Sequence, residues 1–154
     1  MKFAQLFALA VALTLTATGA MAADPDAKAK TKATAAAKKR IFLDLSSEAL
    51  MDKATAQATM AEVIPDKLWK VYPASKWGFV SQVEGGFNSA KICVVTARVM
   101  LAPLTVTNGL ILRPEERVTT FDALPGATSE QCKKLAKDKL REATEGVVSS
   151  LIKK

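Results

Sequence analysis

The segment KICVVTARVML, residues 91–101, decides the fold because it is the longest strand-like run in the chain. Successive side chains of a strand point to opposite faces, and alternate residues here separate into an apolar set and a mixed set. β-Branched residues dominate and neither Gly nor Pro interrupts the run, which favours a strand over a helix. The sequence therefore predicts a central antiparallel strand with one face under helices and the other only partly covered. The apolar set is Cys93, Val95, Ala97, Val99 and Leu101, and the mixed set is Ile92, Val94, Thr96, Arg98 and Met100.

Residues 128–152 have the clearest helical pattern. Thr128 and Gln131 match a capping box, and apolar residues then recur every three or four positions, as on the buried stripe of a helix. Charged residues fill most other positions, which predicts a solvated outer face. The predicted buried stripe is Cys132, Ala136, Leu140, Ala143, Val147 and Leu151.

Cys93 and Cys132 are the only cysteines, and we predict a disulfide between them. One lies on the apolar face of the strand and the other on the apolar stripe of the helix, so both side chains point into the same layer. Such a bond would stabilise the fold by about 4 kcal/mol in chain-entropy terms. Two free buried thiols are the alternative, and the spacing excludes a CxxC redox pair.

The rest of the chain supplies a first helix and further strands. Ser46 or Ser47 is predicted to cap a helix that runs to about Ile64 and stops before Pro65. Residues 41–45 are either an edge strand or an apolar lead-in to this helix. The predicted buried face of the helix contains Leu50, Ala54, Ala58 and Ala61.

Two glycine-containing pairs predict the turns between strands. Gly85-Gly86 follows a strand pattern at residues 77–83, and Asn108-Gly109 fits a two-residue hairpin turn. Short strand patterns follow at residues 110–112 and 118–121. The predicted fold is therefore α+β: an N-terminal helix, a three- to four-stranded antiparallel meander and a C-terminal helix, packed as a two-layer sandwich with one disulfide.

The first 22 residues have the features of a cleaved signal peptide. Lys2 supplies a positive charge, residues 3–17 are mostly apolar, and Ala20-Met21-Ala22 has the small-x-small form of a cleavage site. The run is short for a membrane anchor, and no cysteine follows it as a lipoprotein signal would require. The sequence predicts a periplasmic or secreted protein with no transmembrane anchor in the mature chain.

Residues 23–40 are predicted to be a disordered, Ala/Lys-rich basic tail ahead of a single domain at residues 41–154. The tail has no apolar stripe and cannot bury enough surface to fold alone. Its five lysines and Arg40 oppose two aspartates, a net charge of +4, so most of the basic charge lies outside the domain. The tail is either a solvated spacer or an arm that adsorbs to an anionic surface such as lipopolysaccharide.

Residues 66–79, DKLWKVYPASKWGF, contain both tryptophans and the only tyrosine, interleaved with lysines. Rings that alternate with cations can stack on sugars or bases and contact phosphates. They can equally close one end of the core and expose only their polar tips. This connector, with Arg98 on the mixed strand face, is the predicted place for a ligand or partner. The candidate binding residues are Trp69, Lys70, Tyr72, Lys76, Trp77 and Arg98.

The chain contains no histidine. This removes Ser-His-Asp and Cys-His catalysis and His-ligated metals. Glu115 and Glu116 are adjacent in a strand-like segment and point opposite ways, so they cannot form a catalytic carboxylate pair. The Ser-x-x-Lys tetrad at residues 150–153 has no accompanying motif. We therefore predict a protein that is not an enzyme, with no metal site, no cofactor and no nucleic-acid partner.

Three functions fit these observations. The preferred one is a non-enzymatic periplasmic binding or adaptor protein that recognises another envelope protein or peptide. A protein that associates with an anionic surface, through the tail and the Lys/aromatic connector, is the first alternative. An inhibitor or immunity protein of a hydrolase is the second. The first is preferred because the predicted domain is small, is held by one disulfide, and has one sheet face that is only partly covered.

Overall fold

The structure is a computed structural model that describes residues 40–107, 109, 111 and 113–153. The predicted signal peptide and all of the predicted tail except Arg40 lie outside these residues. The described elements are β1 (Phe42–Asp44), α1 (Lys53–Val63), α2 (Leu68–Val71), β2 (Trp77–Phe87), β3 (Ile92–Pro103), β4 (Glu116–Pro125) and α3 (Ser129–Lys153).

The four strands form one sheet in the order β1-β2-β3-β4. β2, β3 and β4 are the predicted antiparallel meander, but β1 pairs with β2 in parallel, with Phe42 opposite Phe79. The sheet is therefore mixed, and the prediction of a purely antiparallel sheet was wrong. The reason is the long connection through α1 and α2, since a helical crossover returns the chain to the neighbouring position in the same direction.

The predicted alternation of β3 is confirmed. All five residues of the apolar set are completely buried, whereas the mixed set is partly exposed, with Val94 and Arg98 the most accessible. α3 packs across β3 and β4, and α1 packs beside α3 and against β1. The helices thus cover one face of the sheet, and the core lies between them and that face.

The last helix and its disulfide are also confirmed. The Gln131 side chain accepts a hydrogen bond from the Thr128 N–H at 2.8 Å, and the Thr128 hydroxyl accepts one from the Gln131 N–H at 3.3 Å. Every residue of the predicted stripe is buried. Cys93 and Cys132 are disulfide-bonded with their Cα atoms 5.7 Å apart, so the central strand is joined to the first turn of α3.

The first helix begins later than predicted. Its N-cap is Asp52, whose carboxylate accepts a hydrogen bond from the Thr55 N–H at 2.9 Å. Ser46 does not cap a helix; its hydroxyl accepts the Val83 N–H at 2.9 Å and holds the chain against β2.

The buried face of α1 also differs from the prediction. Leu50 is buried as expected, but Ala54, Ala58 and Ala61 are exposed. The buried residues of α1 are Ala56, Thr59 and Met60. Alanines occur on several faces of this helix, so their spacing did not determine which face meets the core.

The Gly85-Gly86 pair is not a turn but part of β2. A Cβ on Gly85 would lie 2.0 Å from the Val94 carbonyl oxygen, so glycine allows the two strands to approach closely here. Both glycines have positive φ, 134° and 141°. The turn comes later, where the Lys91 N–H donates to the Asn88 carbonyl at 3.0 Å and Lys91 itself has φ of 56°.

The predicted Asn108-Gly109 hairpin turn falls in the connection between β3 and β4 and stays a prediction. Asn108, and Leu110 and Leu112 of the predicted following strand, lie outside the described residues. Gly109 and Ile111 belong to no strand. The next strand is β4, which extends beyond the predicted residues 118–121 in both directions and includes Asp122.

Candidate binding surface

The aromatic rings of the connector pack against the core. Trp69 makes edge-to-face contacts with Phe42 and Phe79, with ring centroids 6.0 and 5.5 Å apart. Tyr72 and Trp77 make a similar contact at 5.5 Å. All three candidate rings are only partly exposed, so these side chains close one end of the core.

The other predicted binding residues do not join them in one site. Lys70 and Lys76 are exposed on the connector. Arg98 lies on the opposite face of the sheet from Trp77, because alternate residues of paired strands face opposite sides. The structure thus divides the six candidates between two surfaces, and a binding role for them stays a prediction.

The sheet face turned away from the helices is accessible over part of its length, since Val80 on this face is completely buried. We call the accessible part the open face and define it by the outward side chains of β2, β3 and β4 between the glycine pair and Met100. Phe121 is the most exposed of its apolar side chains, at 79%, and Val94 is 38% exposed. The open face consists of Gln82, Glu84, Gly86, Ile92, Val94, Thr96, Arg98, Met100, Arg117, Thr119, Phe121 and Ala123.

One half of the open face is apolar. Phe121 lies opposite Thr96, and Val94 lies opposite Ala123 in the next row. On the other side of Val94 is Gly86, where a Cβ would meet nothing within 4 Å. The missing side chain leaves Val94 uncovered, so Phe121 and Val94 form an accessible apolar patch.

The other half is polar and carries both signs of charge. The Gln82 amide donates to the Glu84 carboxylate at 2.6 Å, and the Arg98 Nε–H donates to the Thr119 hydroxyl at 3.2 Å. Gln82, Glu84, Arg98 and Thr96 line a shallow depression of about 20 Å³. That volume holds about one water molecule, so this half of the surface suits polar contacts and not a buried small ligand.

β4 is an edge strand, and the pairing of its neighbours shows where its backbone groups point. The Asn88 N–H donates to the Ile92 carbonyl at 3.0 Å, so the even-numbered residues of β2 and β3 bond to one another. Backbone groups of a strand alternate between its two neighbours, so the odd-numbered residues of β3 bond to even-numbered partners in β4. The odd-numbered residues of β4 therefore direct their N–H and C=O groups to the free edge. They are Arg117, Thr119, Phe121 and Ala123.

Carboxylates occupy two of these edge N–H groups. The Ala123 N–H donates to Asp122 at 2.8 Å, and the Arg117 N–H donates to Glu116 at 3.2 Å. Asp122 is also paired with Lys139 of α3, at 3.2 Å. The bond from the Ala123 N–H, followed by the contact with Lys139, lowers the pKa of Asp122. The edge is thus blocked at both ends by side chains of β4 itself.

A second surface lies on the helical side. Leu50, Met51, Asp52 and Thr55 at the start of α1 line a cleft of about 320 Å³ together with three lysines of α3. The Asp52 carboxylate is engaged by the Thr55 hydroxyl and N–H, which lower its pKa. Asp52 thus stays ionised, and the three lysines outnumber this single carboxylate, so the cleft has a net positive charge. The lysines are Lys133, Lys134 and Lys137.

Sequence reasoning did not single out Phe121. The alternation of the predicted strand does place Phe121 and Thr119 on one face and Val118 and Thr120 on the other. The strand's face assignment depends on the register with β3, which places Val118 opposite the buried Val99. Only that register shows that Phe121 points away from the core.

Comparisons with known proteins do not assign the chain to a family. No protein family and no curated protein matches its sequence. Among solved structures, the PelC dodecamer from Paraburkholderia phytofirmans is 12% identical, covering 70% of this chain and 86% of that one, with a TM-score of 0.40. A candidate lipoprotein from Caulobacter crescentus is 11% identical, covering 71% and 83%, with a TM-score of 0.26. These scores are too low to indicate a shared function.

None of the helices that the structure describes is both long and apolar enough to span a bilayer. In the same part of the chain, no group of three or more acidic or cysteine side chains could hold a metal ion. The disulfide is compatible with an oxidising, extracytoplasmic compartment.

Proposed function

We propose that this chain is an exported, non-enzymatic binding protein that recognises another envelope protein or peptide through its open face. The observation that carries the proposal is the exposure of Phe121, 79%, on the edge strand of a sheet face that no described helix covers. A large aromatic side chain in this position exposes apolar area that a partner could bury.

The surroundings of Phe121 also suit protein recognition. Aromatic and arginine side chains commonly dominate the binding energy of protein interfaces, with polar residues around them. Arg98 and Arg117 lie on the same face as Phe121. Glu84 lies two strands away, in the same cross-strand row as Phe121. This arrangement offers a partner an apolar contact together with charges of both signs.

The proposal is tested by placing a photoreactive amino acid at position 121 in the full-length protein in intact cells. We expect one discrete crosslinked protein, whose capture by the purified chain from periplasmic extract is lost in Phe121→Ser. Ile152→Ser is the matched control because Ile152 is also an exposed apolar residue, at 49%, but belongs to α3 on the other side of the sheet. Equal capture by both variants, or no crosslinked protein, would contradict the proposal.

The cationic cleft supports a second candidate function, association with an anionic surface. Three lysines around one cleft raise the local positive potential, and such attraction weakens with ionic strength. We expect the protein to bind vesicles that contain phosphatidylglycerol at low salt, and Lys133→Gln/Lys137→Gln to weaken that binding. Lys70→Gln/Lys76→Gln on the connector is the control. Unchanged binding by the α3 variant would remove the cleft from consideration.

A further inference from the structure

We propose that the free edge of β4 accepts an extended segment of the partner as a fifth strand of the sheet, paired with Thr119 and Phe121. This inference rests on the proposed function and specifies how the partner would bind. Addition of a strand to a sheet edge supplies main-chain hydrogen bonds, while alternate side chains supply the specificity.

The backbone groups at the edge define a short docking window. Arg117 and Ala123 have their outward N–H groups bound to carboxylates of β4. Thr119 and Phe121 lie between them and also direct N–H and C=O groups to the edge. A paired strand can exchange both kinds of hydrogen bond with each of these two residues. The blocked positions on either side limit the pairing to this window and discourage longer, unspecific sheet growth.

The two faces of the edge select different partner side chains. On the open face, the partner residue opposite Phe121 meets an exposed ring and is expected to be apolar. The residue opposite Arg117 meets a cation and is expected to be acidic. On the helical face, the Thr120 hydroxyl donates to the Lys139 carbonyl at 2.9 Å, so α3 lies close above the edge. The partner residue opposite Thr120 must therefore be small.

The position of α3 favours a peptide over a second copy of this chain. A Cβ on Gly146 would lie 2.9 Å from a Val118 methyl carbon, which places the helix directly over β4. Pairing of two β4 strands would bring two such helices side by side above the joined edges. An extended peptide brings no helix to the edge.

The direct test uses a blocked peptide containing Val-Ser-Thr-Ser-Glu, which in antiparallel pairing places Val opposite Phe121 and Glu opposite Arg117. Titration of the isotope-labelled protein to millimolar peptide should shift the amide NMR signals of Thr119 and Phe121 and slow their hydrogen exchange. The same peptide with N-methylated Val and Thr is the control, and it should shift neither signal. Absence of shifts with the unmodified peptide would overturn the inference.

Replacement of Thr119 by proline removes one N–H donor from the free edge and leaves the backbone hydrogen bonds between β3 and β4 intact. The Thr119 N–H points to solvent, so Thr119→Pro is compatible with an edge strand, and its thermal melting shows whether it folds. We expect this variant to bind the peptide roughly tenfold or more weakly, because it loses a main-chain hydrogen bond and leaves a peptide carbonyl unpaired. Ser89→Pro, in the exposed turn between β2 and β3 and outside the open face, should bind as the unmodified protein does, since proline suits the second position of such a turn. Equal binding by the two variants would overturn the inference.

The outcomes separate this inference from the proposed function. If position 121 crosslinks to a partner and Thr119→Pro retains it at full affinity, the open face binds proteins but strand addition is wrong. If the peptide pairs with the edge and no envelope partner is crosslinked, the edge of β4 can accept a strand but the proposed function is wrong. A concentration-dependent dimer in sedimentation that is lost in Thr119→Pro would identify a second copy as the occupant and overturn the assignment to a peptide.

Discussion

Gly146 of α3 packs directly against Val118 of β4. A Cβ built on Gly146 would lie 2.9 Å from one Val118 methyl carbon and 3.3 Å from the other. Glycine in the middle of a helix is unfavourable on propensity alone, so its presence here is explained by the close approach of the helix to the strand. The contact holds α3 over the edge strand that we propose as a docking site.

Replacement of Gly146 by Ala is expected to be neutral or destabilising, although the same change in an exposed helix stabilises by about 1 kcal/mol. The added methyl group must displace the Val118 side chain, and overpacking costs about 1–3 kcal/mol. In the Val118→Ala background the space is available, so Gly146→Ala should then stabilise. Denaturant unfolding of the four proteins in a double-mutant cycle measures the coupling. Equal effects of Gly146→Ala in both backgrounds would show that the contact is unimportant.

The two adjacent glycines of β2 are expected to differ in their tolerance of alanine. Both have positive φ, 134° and 141°, so alanine is strained at either position, by about 1–3 kcal/mol. Gly85→Ala in addition places its Cβ 2.0 Å from the Val94 carbonyl oxygen, whereas Gly86→Ala meets no atom within 4 Å. Gly85→Ala should therefore lower the free energy of unfolding considerably more than Gly86→Ala. If urea denaturation gives equal losses, β2 and β3 are not in such close contact at Val94.

Removal of the disulfide is expected to destabilise the domain without changing its fold. The bond closes a loop with a sequence separation of 39, and the chain-entropy estimate for such a loop is about 4 kcal/mol. Cys93→Ala/Cys132→Ala should lose roughly this amount in denaturant unfolding and keep its far-ultraviolet circular dichroism spectrum. Reductant should destabilise the unmodified protein similarly and leave the double variant unchanged. Two titratable thiols in oxidised, denatured protein would contradict the bond itself.

The ion pair between Asp122 and Lys139 is expected to make stability depend on pH at both extremes. The Ala123 N–H and then Lys139 lower the pKa of Asp122, so its contribution is present above the ordinary pKa of an aspartate. It is lost as the pH falls through the lowered pKa. Hydrogen bonds to Glu142 and then Asp122 raise the pKa of Lys139. That contribution is present below the ordinary pKa of a lysine and is lost as the pH rises through the raised value.

Asp122→Asn separates these effects because the amide oxygen can still accept the Ala123 N–H. We expect the melting temperature of this variant to fall less steeply in acid than that of the unmodified protein. The alkaline loss should be reduced but not abolished, since Lys139 keeps Glu142 as a partner at 2.7 Å. Asp138→Asn on the exposed surface of α3 is the control and should leave the profile unchanged. An identical acid limb in Asp122→Asn would show that the pair contributes nothing.

The elements that were predicted well have strong periodic patterns. β3 alternates apolar and mixed residues over its whole length, and α3 repeats apolar residues at helical spacing, so each pattern determines one buried face. The predicted disulfide depended on those two faces and on the presence of only two cysteines in the chain. The prediction of the buried face of α1 was wrong because alanine occurs all around this helix. The buried face is decided by the tertiary contacts of residues such as Ala56 and Met60.

The candidate site was less predictable than the core. Trp69, Tyr72 and Trp77 were predicted to bind a ligand or partner because aromatic rings can stack on one, yet their rings pack against the core. Phe121 lies in a short segment of mixed polarity, and nothing local distinguishes an exposed ring from a buried one. Its exposure depends on the register with β3 and on the absence of any described helix above that face.

The sequence by itself determined the central strand, the last helix and the bond between them, because periodicity records which side of each element avoids water. The tertiary structure alone decided the parallel pairing of β1, the strand continuation through Gly85 and the outward position of Phe121. These features depend on contacts between residues far apart in the chain, such as Phe42 with Phe79 and Gly85 with Val94. The spacing of residues along one segment contains no record of such contacts.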